Sequence, residues 1–257
     1  MEKFSIIPVK VGQRSGGSKA AMTYLVDWFT KLDPIYYIMF LIKGHDKVIL
    51  VDTGGGDEPF VHKHHYDNYR RSADEAPLPA LKKLGVTPDD IDIVINTHLH
   101  WDHCFNNDLF PKAKIYVQKR ELQCAVSPLP TQGVPYESHL AGMTPRWFIG
   151  YDRIVAVDGD KTLLPGVDLV TLPGHTPGFQ GVNVNTEDGQ YLIAGDTLAL
   201  FENWEGKGHF AHIASAVHYN LEEYYQTFDK IERMRCSFIL PGHDPKVFEH
   251  AVYPFKG

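Results

Sequence analysis

The chain has 257 residues, of which 43% are hydrophobic and 22% are charged, and this composition supports a sizeable folded core. A formal net charge of -7 and the lack of a Lys/Arg run argue against a nucleic-acid partner, because acidic surfaces repel phosphate backbones. The cysteines Cys104, Cys124 and Cys236 form no CxxC pair, which argues against a disulfide framework and favours a reducing compartment.

The first half of the chain alternates apolar segments with turns. Residues 1–8 lack a signal-peptide pattern, and the longest apolar run, residues 35–42, is too short to cross a bilayer, so we expect a cytoplasmic protein with no membrane partner. The histidines between residues 62 and 65 are interpreted as solvated surface. Strands are predicted at residues 4–11, 37–43, 47–52, 91–95 and 114–118, and helices at 78–84 and 119–125.

The second half repeats this order of strands followed by a helix. Residues 127–148 are rich in proline and aromatic residues, which is typical of a lid or binding loop. Strands are predicted at residues 154–157, 167–172, 181–185, 191–194 and 236–240, and an amphipathic helix at 219–235. We expect one domain, residues 1–257, built of two halves (about 1–150 and 151–257) whose sheets pack face to face with helices outside.

The centre of the chain's chemistry is the run from Asn96 to His103, directly after a predicted buried strand. His98 and His100 are two residues apart, so an extended backbone points both imidazoles to the same side. Asp102 and His103 follow where the chain is expected to turn into a helix, and they can face a second ion. We interpret Cys104 as a packed thiol on that helix, although a zinc thiolate is the other interpretation.

Three later segments have one format, an apolar strand followed by a glycine and a polar residue. They present His175, Asp196 and His243 at separate strand ends, where a rigid sheet can hold a site accurately. One such position alone is more often a turn than a ligand. Together with the histidine run they predict two divalent metal ions bridged by Asp196, with zinc favoured and Fe, Mn or Co also compatible with imidazole and carboxylate ligands.

These motifs resemble the metallo-β-lactamase superfamily: THLHWDH at 97–103, PGHTPG at 173–178, GDT at 195–197 and PGH at 241–243, preceded by VDTG at 51–54. The resemblance implies an α/β (α+β) fold, a four-layer αββα sandwich. It also implies His98, His100 and His175 on one ion, Asp102, His103 and His243 on the other, and Asp196 shared. Asp52 would orient a ligand histidine through a hydrogen bond.

Within the superfamily the chain is similar to the N-acyl homoserine lactonase and pyridoxolactonase group. The resemblance implies a hydrolase that opens a lactone or related ester by attack of a metal-bridging hydroxide. From its place near that hydroxide and its carboxylate chemistry, we predict Asp102 as the catalytic residue that carries the proton to the leaving group. Two positions depart from the group: Ala199 replaces a tyrosine that holds the substrate carbonyl, and Phe179 replaces a second histidine. His209, His212 and His218 are candidates to replace the tyrosine.

Large apolar side chains on the predicted loops are candidates for the substrate pocket and indicate a small apolar or aromatic substrate. For any single one of them, core packing is the simpler interpretation. A homodimer is left open. The candidates are Met22, Trp28, Phe29, Tyr136, Trp147, Phe201, Trp204 and Phe210.

Four other functions fit parts of the pattern. A glyoxalase II-like thioesterase or another small-molecule hydrolase would use the same metal site, although a basic patch for glutathione is not evident. A mononuclear iron sulfur dioxygenase would use the first three ligands alone. A non-catalytic metal-binding module would keep the ions without turnover.

Overall fold

The computed structural model describes residues 3–255. Within this range two mixed sheets are stacked, and the first contains seven strands in the order β4-β1-β2-β3-β5-β6-β7. Strands β3, β5, β6 and β7 run parallel to one another up to one edge of the sheet, whereas the pairs β4–β1, β1–β2 and β2–β3 are antiparallel. The strands are β1 (Ser5–Arg14), β2 (Ile35–Gly44), β3 (Lys47–Val51), β4 (Tyr69–Arg70), β5 (Ile93–Ile95), β6 (Lys114–Gln118) and β7 (Ile154–Val157).

The second sheet contains five strands within residues 3–255, in the order β12-β11-β10-β9-β8. Only β11 and β12 run parallel, because helix α6 (Leu221–Met234) forms the crossover between them. The strands are β8 (Lys161–Leu164), β9 (Val167–Thr171), β10 (Gln180–Thr186), β11 (Gly189–Gly195) and β12 (Phe238–Pro241). The remaining helices are α1 (Glu58–His64), α2 (Pro77–Lys83), α3 (Trp101–Cys104), α4 (Lys119–Val126) and α5 (Phe201–Glu205).

Three buried apolar clusters define four layers. The central cluster joins the inner faces of the two sheets through residues such as Phe40 and Ile193. A second cluster packs α1, α2 and α4 on the outer face of the first sheet, and a third packs α6 on the outer face of the second. The predicted αββα sandwich is therefore confirmed. Among the helices of residues 3–255, none combines the length and hydropathy that a membrane span requires.

Local sequence explains most element boundaries. The predicted hairpin turns at His45 and Asp46, both in the left-handed region with φ of 49° and 58°. Helix α6 begins one residue after Asn220, whose side chain accepts hydrogen bonds from Glu222 N and Glu223 N. Strand β1 runs past the predicted end at residue 11 because Gly12, with φ of 148°, forms a bulge and pairing then resumes.

Candidate metal centre

The structure brings all seven predicted ligands together where the ends of strands from both sheets meet. His98 and His100 follow β5 in the first sheet, and Asp102 and His103 lie on α3 directly after them. The second sheet contributes the other three from the ends of β9, β11 and β12. These three are His175, Asp196 and His243.

Two groups of the predicted composition meet one distance criterion, and a third group, His98, His103 and Asp196, meets it as well and joins them. One ligand atom from each of His98, His100 and His175 lies within 4.8 Å of the others, and the same holds for Asp102, His103 and His243. The carboxylate of Asp196 lies between the sets. Its Oδ2 is 3.6 Å from His175 Nε2 and 3.1 Å from His243 Nε2, and its Oδ1 is 3.3 Å from His103 Nε2. This position suits a bridging ligand.

Each ligand histidine has one ring nitrogen tied to the protein, which leaves the other directed into the cluster. Such outer hydrogen bonds fix the tautomer and the ring orientation of metal ligands. The tied nitrogens are His98 Nδ1 to Thr97 Oγ1 (3.0 Å), His100 Nε2 to Gln132 Oε1 (3.1 Å), His103 Nδ1 to Asp52 Oδ2 (2.8 Å), His175 Nδ1 to the Val217 carbonyl (2.7 Å) and His243 Nδ1 to the Tyr36 carbonyl (2.7 Å).

Several polar atoms inside the cluster are buried without a hydrogen bond. His98 Nε2, His103 Nε2 and Asp196 Oδ1 make none within residues 3–255, although His103 Nε2 and Asp196 Oδ1 lie 3.3 Å apart. A buried polar group that lacks a partner costs about 1–3 kcal/mol, so native structures rarely retain three in one place. A ligand that accepts imidazole lone pairs and carboxylate charge would satisfy all three atoms. The residues present therefore fit divalent metal ions.

The electrostatics of the cluster also suit metal binding. Burial, followed by the neighbouring histidines, lowers the pKa of His98 and His100 well below the usual range, so both rings stay neutral. Burial opposes the charge on Asp196, but His243 and His103 hold the pKa of this carboxyl well below its usual range. Burial opposes the charge on His103 and His243, but the carboxylate of Asp196 raises the pKa of both rings, so each would release a proton when a metal ion binds, as metal ligands must.

Asp52 lies behind His103, outside the ligand sets. It is 3% exposed and accepts three hydrogen bonds, from His103 Nδ1 (2.8 Å), Thr97 N (2.7 Å) and Thr97 Oγ1 (2.8 Å). It thereby connects the turn after β3 to both the start and the end of the histidine run.

We expect Asp52→Asn to weaken metal affinity by about 10- to 100-fold, because the amide cannot reproduce all three accepted bonds and His103 loses its fixed tautomer. Metal affinity is measured by competition with a chromophoric chelator. Asp46→Asn, in the exposed β2–β3 turn, is the matched control and should leave the affinity unchanged. Equal affinities for the two variants would contradict the orienting role.

The sequence did not predict Glu121, a carboxylate buried on α4. It accepts hydrogen bonds from Leu99 N (3.0 Å) and Tyr136 Oη (2.8 Å) through Oε1, and from Thr176 Oγ1 (2.7 Å) and Gly178 N (3.1 Å) through Oε2. It thus joins the HLH segment to the PGHTPG turn. A Cβ at Gly178 would lie 2.0 Å from Glu121 N, so that glycine permits the close approach.

A cavity opens beside the ligands, and only one predicted pocket residue, Met22, lines it. Ala199, where the resemblance expects tyrosine, also lines it. Its other lining residues are Arg14, Ile35, Tyr37, Tyr66, His100, Trp101, Asp102, Pro135, His175, Asp196, Ser215, Val217 and His243. The histidines proposed to replace the tyrosine lie elsewhere: His209 packs on Phe210, His212 on Trp204, and His218 donates to the Ser215 carbonyl.

The remaining pocket candidates lie in three kinds of place. Trp28 and Phe29 are 59% and 100% exposed on the loop after Met22. Tyr136 is buried behind the site, with its ring 4.7 Å from that of His100 and its hydroxyl on Glu121. The others pack into core clusters or against a neighbouring ring, in line with the simpler interpretation of these side chains as packing residues. These are Trp147, Phe201, Trp204 and Phe210.

The family model of the metallo-beta-lactamase superfamily matches residues 36–243, which contain all seven predicted ligands. The chain belongs to this superfamily. The predicted resemblance is therefore confirmed.

Relatives of this superfamily member include characterised lactonases. The N-acyl homoserine lactonase AiiB of Agrobacterium fabrum is 29% identical over 237 residues, 85% of this chain and 83% of that protein. AiiA of Bacillus thuringiensis subsp. kurstaki, also an N-acyl homoserine lactonase, is 27% identical over 181 residues, 67% and 68% of the respective chains.

Solved structures share the fold at lower identity. An N-acyl homoserine lactone hydrolase with N-hexanoyl-L-homoserine bound at its catalytic metal center superposes with a TM-score of 0.75 at 23% identity, and the match covers 97% of this chain and 96% of that one. The dizinc lactonase AidC superposes with a TM-score of 0.68 at 17% identity, covering 94% and 88%.

Proposed function

We propose that this protein is a dinuclear metal-dependent hydrolase that opens lactones. The observation that carries the proposal is the pair of three-residue ligand sets joined by Asp196 beside an open cavity. The lactonase relatives support the choice of a cyclic ester as substrate. Two divalent ions held there would supply Lewis acidity and lower the pKa of water towards neutrality. Zinc is the metal we favour, because the donors are imidazole nitrogens and carboxylates and the AidC neighbour is a dizinc enzyme.

The chain's own residues supply proton transfer and shielding. Asp102 is the ligand side chain most open to the cavity, with 13% of its surface exposed, and its Oδ2 lies 3.6 Å from His103 Nε2 and 3.8 Å from His243 Nε2. From this position it can accept a proton from the attacking water and return it to the leaving alkoxide. Met22, Ile35 and Tyr37 shield the site from bulk water.

The direct test is hydrolysis of a lactone panel by purified protein loaded with zinc. We expect metal-dependent ring opening, followed by proton release, with two metal ions per chain. One iron per chain with turnover of a persulfide would instead support the dioxygenase alternative. Faster turnover of thioesters than of any lactone would favour the thioesterase alternative.

We expect Asp102→Asn to lower kcat by about 10²- to 10⁴-fold, the usual contribution of a positioned acid–base group. The amide keeps the shape of the side chain but cannot carry the proton. Metal content is measured on the same sample, so that loss of an ion is separated from loss of proton transfer. An unchanged kcat at full metal occupancy would contradict the proposed role of Asp102.

A further inference from the structure

A buried arginine lines the same cavity as the ligand cluster. Arg14 is the last residue of β1 and pairs with Ile35 of β2 and Tyr69 of β4, so its backbone is held on both sides. Only 9% of its surface is exposed. Tyr36, next to Ile35, holds His243 by two hydrogen bonds of 2.9 and 2.7 Å, and the same strand pair therefore positions both a metal ligand and Arg14.

Among residues 3–255, the guanidinium of Arg14 has no charge partner. No carboxylate within residues 3–255 forms an ion pair with it, and its buried Nε makes no hydrogen bond. Its Cζ lies over the ring of Tyr66, 3.8 Å from the ring centroid. A cation–π contact of this kind uses no N–H hydrogen bond, so the donors of the guanidinium remain available to a ligand.

A buried cation without a counter-ion is costly, and arginine cannot avoid the cost by losing its proton. The other residues that line the cavity beside it, Met22, Ile35 and Tyr37, offer no negative charge. Asp102 and Asp196 also line the cavity, but both belong to the metal ligand sets. The negative charge that would pair with the Arg14 guanidinium therefore has to enter with the substrate.

We propose that Arg14 is a specificity-determining residue that binds a carboxylate carried by the substrate, away from the ester bond. This inference rests on the proposed lactonase function and narrows its substrate class to lactones with an acidic substituent. The planar fork of the guanidinium matches the two oxygens of a carboxylate, and such bidentate pairs combine strength with orientation. The apolar cavity wall would contact the connecting part of the substrate, and Arg14 would bind its acidic end.

The test uses γ-lactones that carry a succinyl, glutaryl or adipoyl amide and therefore end in a free carboxylate. Each is compared with the same compound in which a neutral carboxamide replaces that carboxylate. For the wild type we expect kcat/KM to favour the carboxylate of the best-fitting length by about 10- to 100-fold, the strength of a charged hydrogen-bonded pair. In Arg14→Gln the preference should fall to about one, and Arg14→Lys should restore part of it. A matched control is Arg70→Gln, an exposed arginine on the adjacent strand β4, which should keep the wild-type preference.

Binding of the corresponding lactams, which cannot be opened, separates this inference from the proposed function. Calorimetry on zinc-loaded protein should show tighter binding of the carboxylate lactam to the wild type than to Arg14→Gln, whether or not any lactone is hydrolysed. A contrary outcome is that neutral lactones are opened while Arg14→Gln changes neither the preference for carboxylate over carboxamide substrates nor the binding of the carboxylate lactam. In that case Arg14 only packs against Tyr66, and the inference is wrong. If the lactam binds through Arg14 but no lactone is opened, the proposed function is wrong and the carboxylate site stands.

Discussion

Replacement of Asp196 by asparagine is expected to remove most of the bound metal and to lower kcat/KM by at least about 10³-fold. The carboxylate lies between the two ligand sets, 3.1 Å from His243 Nε2 and 3.3 Å from His103 Nε2. An amide offers one neutral oxygen and places an N–H₂ donor toward the ions. Metal catalysis contributes several kcal/mol to the stabilisation of the transition state, and about 4 kcal/mol corresponds to this loss of rate.

Metal content per chain, measured after dialysis, should fall well below the value for the wild type. The increase in Tm that added metal produces should also become smaller. Asp188→Asn, in the exposed turn before β11, is the matched control and should retain both metal and activity. Two ions per chain and near-normal kcat/KM in Asp196→Asn would exclude a bridging role for this carboxylate.

The seven residues that meet at the candidate metal centre could be located from sequence because each follows a local rule. His98 and His100 alternate with Leu99, which is 1% exposed. This alternation follows from an extended backbone alone and does not depend on long-range contacts. The glycine-then-ligand format after β9, β11 and β12 similarly depends on short segments only. The αββα layers follow from apolar strands and one strongly amphipathic helix, α6, whose pattern is continuous over the predicted length.

The cavity could not be predicted in the same way, because its lining residues are brought together only by long-range contacts. Arg14 at the end of β1 and Tyr66 before β4 are separated by 52 positions, and neither belongs to a motif. The edge strand β8 was not predicted, since it has only four residues, the first two of which are polar and exposed, and it lacks an apolar period. The expectation that His65 is solvated was wrong: its side chain is 1% exposed, stacks on Trp101 and pairs with Glu137 at 3.0 Å.

Glu121 gave no sequence signal except a charge on the otherwise buried face of α4. We expect Glu121→Ala to lower the free energy of unfolding by at least about 4 kcal/mol, because four buried donors lose their acceptor and each costs about 1–3 kcal/mol. Two of these donors, Leu99 N and Thr176 Oγ1, adjoin metal ligands. Metal affinity should therefore fall as well.

Chemical denaturation of the metal-free proteins separates the stability effect from the loss of metal, because no ion then contributes to the difference. Glu121→Gln keeps one acceptor oxygen and should lie between the wild type and Glu121→Ala. Glu232→Ala, which removes an exposed pair with His212, is the matched control and should change stability by no more than about 1 kcal/mol. A similar small change for Glu121→Ala would mean that water replaces the carboxylate between the two turns, and the turns would then be positioned by the sheet ends alone.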